Sequence, residues 1–280
     1  MQQIDLKSLL SAVDVPADWV GIREVSETHT PRIVRDGVPQ MNASYTSQGL
    51  MVEVLANGQF GYYGTPNMTN EGVTSAAKKA FTQANLASKH ATFQFSEDAR
   101  PANVGNYQSP FVKEKGSLSP GELNKLLLDA YNQLNVSDKI VSARALLQTI
   151  QTMFRFVSSN GSDISQDFLM LEFDLSATAA DGANQQTRTF GGMRGNCLQM
   201  GMEYFDKLEL LAQAQKIGEE AIELLDAEEC PSGETDLVIA SDQMMLQIHE
   251  SVGHALEVDR ILGDERNYAG WSFVNLEDFG

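Results

Sequence analysis

The sequence predicts an α+β fold divided among several domains, and three observations carry that prediction. Its 280 residues exceed what one modest hydrophobic core usually organises. Alternating apolar runs punctuated by Asn-Gly and Asp-Gly turns occur in two separate stretches, the pattern of antiparallel strands. Between and after them, other segments repeat apolar residues at helical spacing.

In the first hundred residues, Gly49 to Leu55 reads as a strand, Asn57-Gly58 as a tight turn and Gln59 to Gly64 as the returning strand. A helix from about Asn70 to Ala87 follows, with Val73, Ala76, Ala77, Ala80, Phe81 and Ala84 on one face. This gives an N-terminal α/β domain over residues 1–100. Residues 101–116 are polar, contain Gly105 and Pro110, and read as a linker.

Ser119-Pro120-Gly121-Glu122 is a helix start: serine caps, proline suits the first turn, and the glutamate closes a capping box. That helix presents Leu123, Leu126, Leu127, Ala130, Tyr131 and Leu134 and ends at Asn135. The period then changes. Leu146, Ile150, Phe154 and Phe156 share a side of an extended run, Asn160-Gly161 turns the chain, and Leu169, Leu171, Phe173, Leu175 and Ala177 alternate on the return. A turn at Asp181-Gly182 leads into residues 185–190 and completes a meander, read as the sheet of a second domain. Gly191-Gly192-Met193-Arg194-Gly195 lacks the spacing and lysine of a phosphate-binding loop and reads as a flexible turn. A long helix from about Gln199 to Ala227 closes a middle domain, residues 117–229, of helices and antiparallel sheet.

In the remaining segment, residues 230–280, Cys230-Pro231-Ser232-Gly233 breaks the helix and Thr235 to Ala240 (TDLVIA) reads as a short buried strand. Ser241 is placed to cap the next helix, with Asp242 in its positive first turn. Met244, Met245, Ile248, Val252, Ala255 and Leu256 form an apolar stripe along it. That helix contains His249-Glu250-Ser251-Val252-Gly253-His254.

Composition narrows the function. Thirty-eight acidic against 20 basic residues leave a net charge of −18, and no Lys/Arg cluster offsets it, so nucleic acid is an unsuitable partner. The N-terminus lacks the basic segment of a signal peptide, and no apolar run is long enough to cross a bilayer. Cys197 and Cys230 form no short-spaced metal knuckle and fit reduced thiols. A soluble cytoplasmic protein, with no membrane or nucleic-acid partner, is expected.

Two histidines and a glutamate within six residues raise the question of a metal site. Residues five apart in a regular α-helix are rotated by roughly 140°, so His249 and His254 do not face one ion unless the helix is distorted. A π-turn absorbs one residue and brings the two together, and Gly253 stands where the backbone distortion is expected. Neutral imidazoles bind Zn²⁺, a catalytic zinc takes a third protein ligand and a water, and Glu250 beside the first histidine is placed to move that water's proton. On the residues alone, a chance pattern on a packed helix stays open.

HESVGHALEVDRILGDERNYAGWSF closely resembles the signature region of the TldD/PmbA zinc metallopeptidases, whose active members carry His-Glu-x-x-x-His. GLMVEVLANGQFGYYGT, VSSNGSD and the Cys-Pro-Ser-Gly approach to the motif fall in the family's order, so the resemblance extends along the chain. It implies that His249 and His254 are zinc ligands and Glu250 the catalytic acid/base. It further implies hydrolysis of unfolded or flexible peptides inside a chamber built with a homologous subunit, as a homo- or heterodimer. Residues 230–280 are then the start of a C-terminal catalytic domain, cut short at Gly280. The family's third ligand is a cysteine far downstream, and neither Cys197 nor Cys230 occupies its position. Glu257, three residues after His254, is a candidate ligand or supporting carboxylate. Asp259 and Asp264 read as solvated charges or caps, and His29 and His90 as surface or packing residues. The competing function is a non-catalytic peptide-binding or assembly subunit with an incomplete metal site.

Overall fold

A computed structural model describes residues 4–191, 196–268 and 270–279, without the side chains of Lys207 and Asp242. Of the turn expected over residues 191–195, residues 192–195 fall outside the described ones, as does the side chain of Asp242, expected in the first turn of its helix. The mixed α+β class is borne out. The chain divides into two compact units, Met1–Asp226 and Ala227–Gly280.

The first unit is built on one sheet of nine strands among the described residues. Its main path runs β4 (Gln59–Thr65), β3 (Tyr45–Ala56), β1 (Trp19–Arg35), β6 (Ile140–Ser158), β7 (Asp163–Asp181), β5 (Val104–Gln108). The short strand β2 (Val38–Asn42) pairs with β1, while β8 (Asn184–Thr189) and β9 (Cys197–Leu198) pair with β7. The β3–β4 hairpin turns as expected, with Asn57 and Gly58 at φ of 51° and 71°, a left-handed pair suited to strand twist. The β6–β7 hairpin also forms. Its sheet is continuous with that hairpin, because β1 pairs with β3 along one edge and β6 along the other.

The central strand β1 is not signalled by local sequence. Pro31 and a run of polar residues argue against a central strand. On the edge facing β3 and β2, pairing with β3 ends at His29↔Tyr45 and pairing with β2 begins at Arg32↔Asn42. Pro31, with no N–H to donate, sits at this changeover. Within residues 101–116, Val104–Gln108 forms β5 and pairs parallel to β7 from Asp163 to Asp167.

Helices α1 (Leu6–Ser11), α2 (Asn70–Ser88), α3 (Pro120–Leu134) and α5 (Leu210–Glu223) close over two apolar clusters. Val20, Ile22 and Val34 lie on one side of β1, and the partners of Ile22 and Val34 on β6, Val157 and Ala145, share a side too. Both clusters therefore occupy one face of the sheet. The expected α2 face is buried through Val73, Ala76, Ala77, Ala80 and Ala84. At α3 the capping box forms, with the Glu122 N–H donating to Ser119 Oγ at 3.2 Å and the Ser119 N–H to Glu122 Oε2 at 2.7 Å. The apolar sets on β6 and β7 point to opposite faces: Ile150 is opposite Met170, whereas Leu171, under the helices, is opposite Thr149.

The expected continuous helix from Gln199 to Ala227 is broken into α4 (Tyr204–Lys207) and α5, because Leu208 adopts extended φ/ψ of −86°/116°. Residues before α4 are held differently. A Cβ on Gly201 would meet the Lys113 carbonyl oxygen at 2.0 Å, and Glu203 accepts N–H bonds from Lys113 (2.9 Å) and Gly201 (3.1 Å). Burial pushes the Glu203 carboxyl up, but the backbone N–H groups of Lys113, Glu203, Gly201 and Val112 outweigh it and hold the group at about 2. The folded carboxyl is thus depressed below the ordinary 4.5, so its stabilisation is present above 4.5 and disappears as pH falls toward 2. Glu203→Gln is expected to cost on the order of 2–3 kcal/mol at neutral pH. In urea unfolding across a pH series, the gap from wild type should narrow below pH 4.5; a gap independent of pH would contradict this role.

In the second unit, the expected strand Thr235–Ala240 is not formed. A strand exists by its ladder, and the second unit holds no other strand among its described residues; Leu237 and Val238 are 79% and 93% exposed. Helix α6 (Ser241–Ile248) follows. Its N-cap is Ala240, with no side-chain cap bond, so Ser241 is the first helical residue rather than the cap. Of the expected stripe, Ala255 is buried, whereas Met245, Ile248, Val252 and Leu256 are exposed.

Candidate metal centre

The motif residues sit where α6 changes its winding. Residues His249–Gly253 form a π-turn, and the His254 N–H donates to the His249 carbonyl, five residues back. This is the distortion expected from the spacing, because the wider turn takes up the extra residue and returns His254 to the side of His249. The imidazole centroids lie 4.4 Å apart with their planes at 77°. Gly253 does not supply unusual dihedrals: its φ and ψ of −57° and −56° are ordinary right-handed helix, and a Cβ there would meet only the Ile248 carbonyl oxygen, at 3.8 Å.

Glu250 joins the histidines. One donor atom from each of His249, Glu250 and His254 lies within 4.8 Å of the other two. Glu250 Oε2 is 3.7 Å from His254 Nε2, and Oε1 is 4.0 Å from His249 Nε2. These separations are too long for hydrogen bonds and suit groups that converge on a shared ion or water. Two imidazoles are donors that Zn²⁺ accepts, and a carboxylate beside them is placed for a metal-bound water, so the residues fit a zinc ion. His254 is the more enclosed histidine, its side chain 28% exposed against 60% for His249.

The other edge of the His254 ring is occupied. Nδ1 lies 2.8 Å from Glu257 Oε1, and Glu257 Oε2 pairs with Arg260 Nε at 2.5 Å. The hydrogen bond with His254 pulls the Glu257 carboxyl below its ordinary value against the opposing effect of burial, and the Arg260 charge adds to the lowering. Arg260 belongs to α7 (Val258–Leu262), which stops at Gly263 in a left-handed conformation (φ 85°). Ser272 ties the following segment back, donating its hydroxyl to the Ala255 carbonyl at 2.6 Å.

Of the residues singled out in the sequence, His249, Glu250 and His254 converge, and Glu257 touches only the far nitrogen of His254. Arg260 and Ser272 were missed; the three-residue step from Glu257 to Arg260 was the one available signal, for the pair alone. Asp259 and Asp264 are exposed, Asp259 accepting the Arg260 N–H at 3.0 Å. His29 belongs to the first unit, stacked on Tyr45 and bonded to Glu27 at 2.7 Å and Gln148 at 3.0 Å. His90 is exposed. Cys197, in the first unit, and Cys230, in the second, are exposed free thiols.

Comparison with known proteins places the chain among relatives. A family model described as PmbA/TldA metallopeptidase domain 1 matches residues 20–84, and one described as the PmbA/TldA metallopeptidase central domain matches residues 113–226. A protein of Methanothermobacter thermautotrophicus named a metalloprotease is 26% identical over 261 residues, which cover 92% of this chain and 54% of that protein. A metalloprotease of Methanocaldococcus jannaschii is 23% identical over 270 residues, covering 94% of this chain and 56% of its own length. The chain thus spans about half the length of these relatives. Solved structures share the fold. One is a Thermotoga maritima protein described as a modulator of a DNA gyrase (TM-score 0.56, 17% identity, 77% of this chain and 46% of that one). Another is TldE of Thermococcus kodakarensis (TM-score 0.52, 12% identity, 78% and 47%).

Proposed function

The chain belongs to the PmbA/TldD metallopeptidase family, and from that membership we propose that it carries the zinc-binding motif of a peptidase acting on unfolded or flexible peptides. The observation that carries this reading is the convergence of His249, Glu250 and His254 on one side of a π-turn. His249 and His254 would hold the ion through ring nitrogens. Zinc, when bound, supplies a polarised water and a Lewis acid for the scissile carbonyl. The Glu250 carboxylate would accept a proton from the attacking water and return it to the departing amine nitrogen. The Glu250 carboxylate, grouped with both histidines, supports this role.

The proposal extends to a homologous subunit, as homo- or heterodimer, and to a cytoplasmic location. No described helix is long and apolar enough to cross a membrane. A second reading is favoured by one observation: among the described residues the cluster consists of two histidines and Glu250, one ligand short of a three-ligand catalytic zinc if Glu250 serves as base. That reading is a peptide-binding or assembly subunit without hydrolysis.

One assay separates them. Full-length protein is incubated with an unstructured polypeptide and a folded control, with and without a strong zinc chelator. The peptidase reading predicts cleavage of the unstructured substrate alone, abolished by chelation and restored by added zinc. Retention of peptide with no cleavage in any condition would favour the binding subunit, and cleavage insensitive to chelation would contradict the metal reading.

A further inference from the structure

We propose that Glu257, braced by Arg260, is a positioning residue that fixes the tautomer of His254 and leaves its Nε2 lone pair free for the metal. The proposal rests on the zinc reading above and adds a role to a residue outside the His249–Glu250–His254 cluster. Glu257 Oε1 lies 2.8 Å from Nδ1 of His254, the ring nitrogen on the edge away from Glu250. An ionised carboxylate only accepts hydrogen bonds, so contact at this distance requires the ring proton on Nδ1. Arg260 Nη2 stands 3.3 Å from the same nitrogen and competes as a donor, but its contact is longer than the 2.8 Å of Glu257, and the guanidinium forms an ion pair with Glu257 through Nε and Oε2, 2.5 Å apart. The arginine thus aims the carboxylate and the carboxylate aims the imidazole.

The consequence is chemical. A neutral imidazole in water favours the proton on Nε2, which would block the nitrogen that faces Glu250. Holding the proton on Nδ1 reverses that preference before any ion arrives and makes Nε2 the better electron donor, as carboxylates behind ligating histidines do. Glu257 itself is a poor ligand candidate: both of its oxygens are committed, one to Nδ1 and one to Arg260.

The test is ¹⁵N NMR of the histidine-labelled chain without metal, at about pH 8.5, roughly two units above the ordinary imidazole value. His254 is assigned with a His254→Ala control. The wild-type ring should carry its proton on Nδ1, Glu257→Ala should move it to Nε2, and Glu257→Gln, which keeps a carbonyl acceptor, should retain much of the wild-type pattern. Competition with a chromophoric chelator should show zinc affinity reduced ~10- to 100-fold in Glu257→Ala and by less in Glu257→Gln. A wild-type His254 already protonated on Nε2, or a ring unaffected by Glu257→Ala, overturns the proposal regardless of metal. Unchanged zinc affinity in Glu257→Ala also overturns it. Failure of the wild-type chain to bind zinc, with the tautomer shift intact, would instead count against the metal reading, so the two failures are distinguishable.

Discussion

Glu250→Gln in the full-length protein is expected to lower kcat/KM on an unstructured peptide by roughly 10²- to 10⁴-fold while leaving bound zinc at the wild-type level. The reason lies in the geometry of the π-turn. Glu250 stands 3.7 Å from His254 Nε2 and 4.0 Å from His249 Nε2, within reach of a water shared with both and not hydrogen-bonded to either ring. Glutamine keeps the size and the hydrogen-bonding reach of the side chain but cannot take up a proton. Steady-state kinetics with parallel metal analysis checks the split. Zinc lost together with activity would make Glu250 a ligand, and a wild-type rate in the variant would remove it from the chemistry.

The second large effect is expected in the sheet. Glu24 on β1 and Arg155 on β6 are direct cross-strand partners, buried on the helix-covered side, and form an ion pair with side chains 6% and 12% exposed. Arg155 also donates to the Ile4 carbonyl at 2.7 Å, fastening the chain before α1. Glu24→Leu leaves the guanidinium without its counter-charge in a poorly hydrated place and is expected to cost ~3–5 kcal/mol. At the usual conversion for a unit of this size, that lowers Tm by roughly 6–20 °C. Glu24→Leu/Arg155→Met removes both charges and should recover most of the loss. Calorimetry of the two variants decides the point. A single variant melting like a surface substitution, or a double variant as unstable as the single, would contradict it.

Much of this architecture could be read from the chain because the signals were local. Ser119 and Glu122 announce a helix start through two hydrogen bonds spanning four residues, and Asn57-Gly58 announces a hairpin through left-handed dihedrals. The motif belongs here too: five-residue spacing in a helix leaves few ways for two imidazoles to meet, and the π-turn is the one observed. What escaped the reading depends on distant partners. β1 contains Pro31 and a buried glutamate, and it makes sense as a central strand only once Arg155 and the β3-to-β2 changeover are known. The break at Leu208 goes with residues just before it being pinned by Glu203 to the backbone near Lys113, about ninety positions earlier, an arrangement no helical periodicity encodes. TDLVIA has the composition of a buried strand, but composition does not provide the neighbour a strand needs. At the metal centre, Glu257 was legible as a carboxylate near His254. Its choice of Nδ1 over the shared cluster was not, because that follows from ring orientation.

Whether the π-turn holds a metal is tested most plainly by the metal content of this chain after purification without chelators, measured by elemental analysis beside His249→Ala/His254→Ala. About one zinc per chain is expected in the wild type and its loss in the double variant, with the far-UV circular dichroism of the two proteins superimposable. Zinc retained by the double variant would place the metal elsewhere, and a wild-type chain that takes up none even with zinc supplied would contradict the claim that the π-turn forms a metal site.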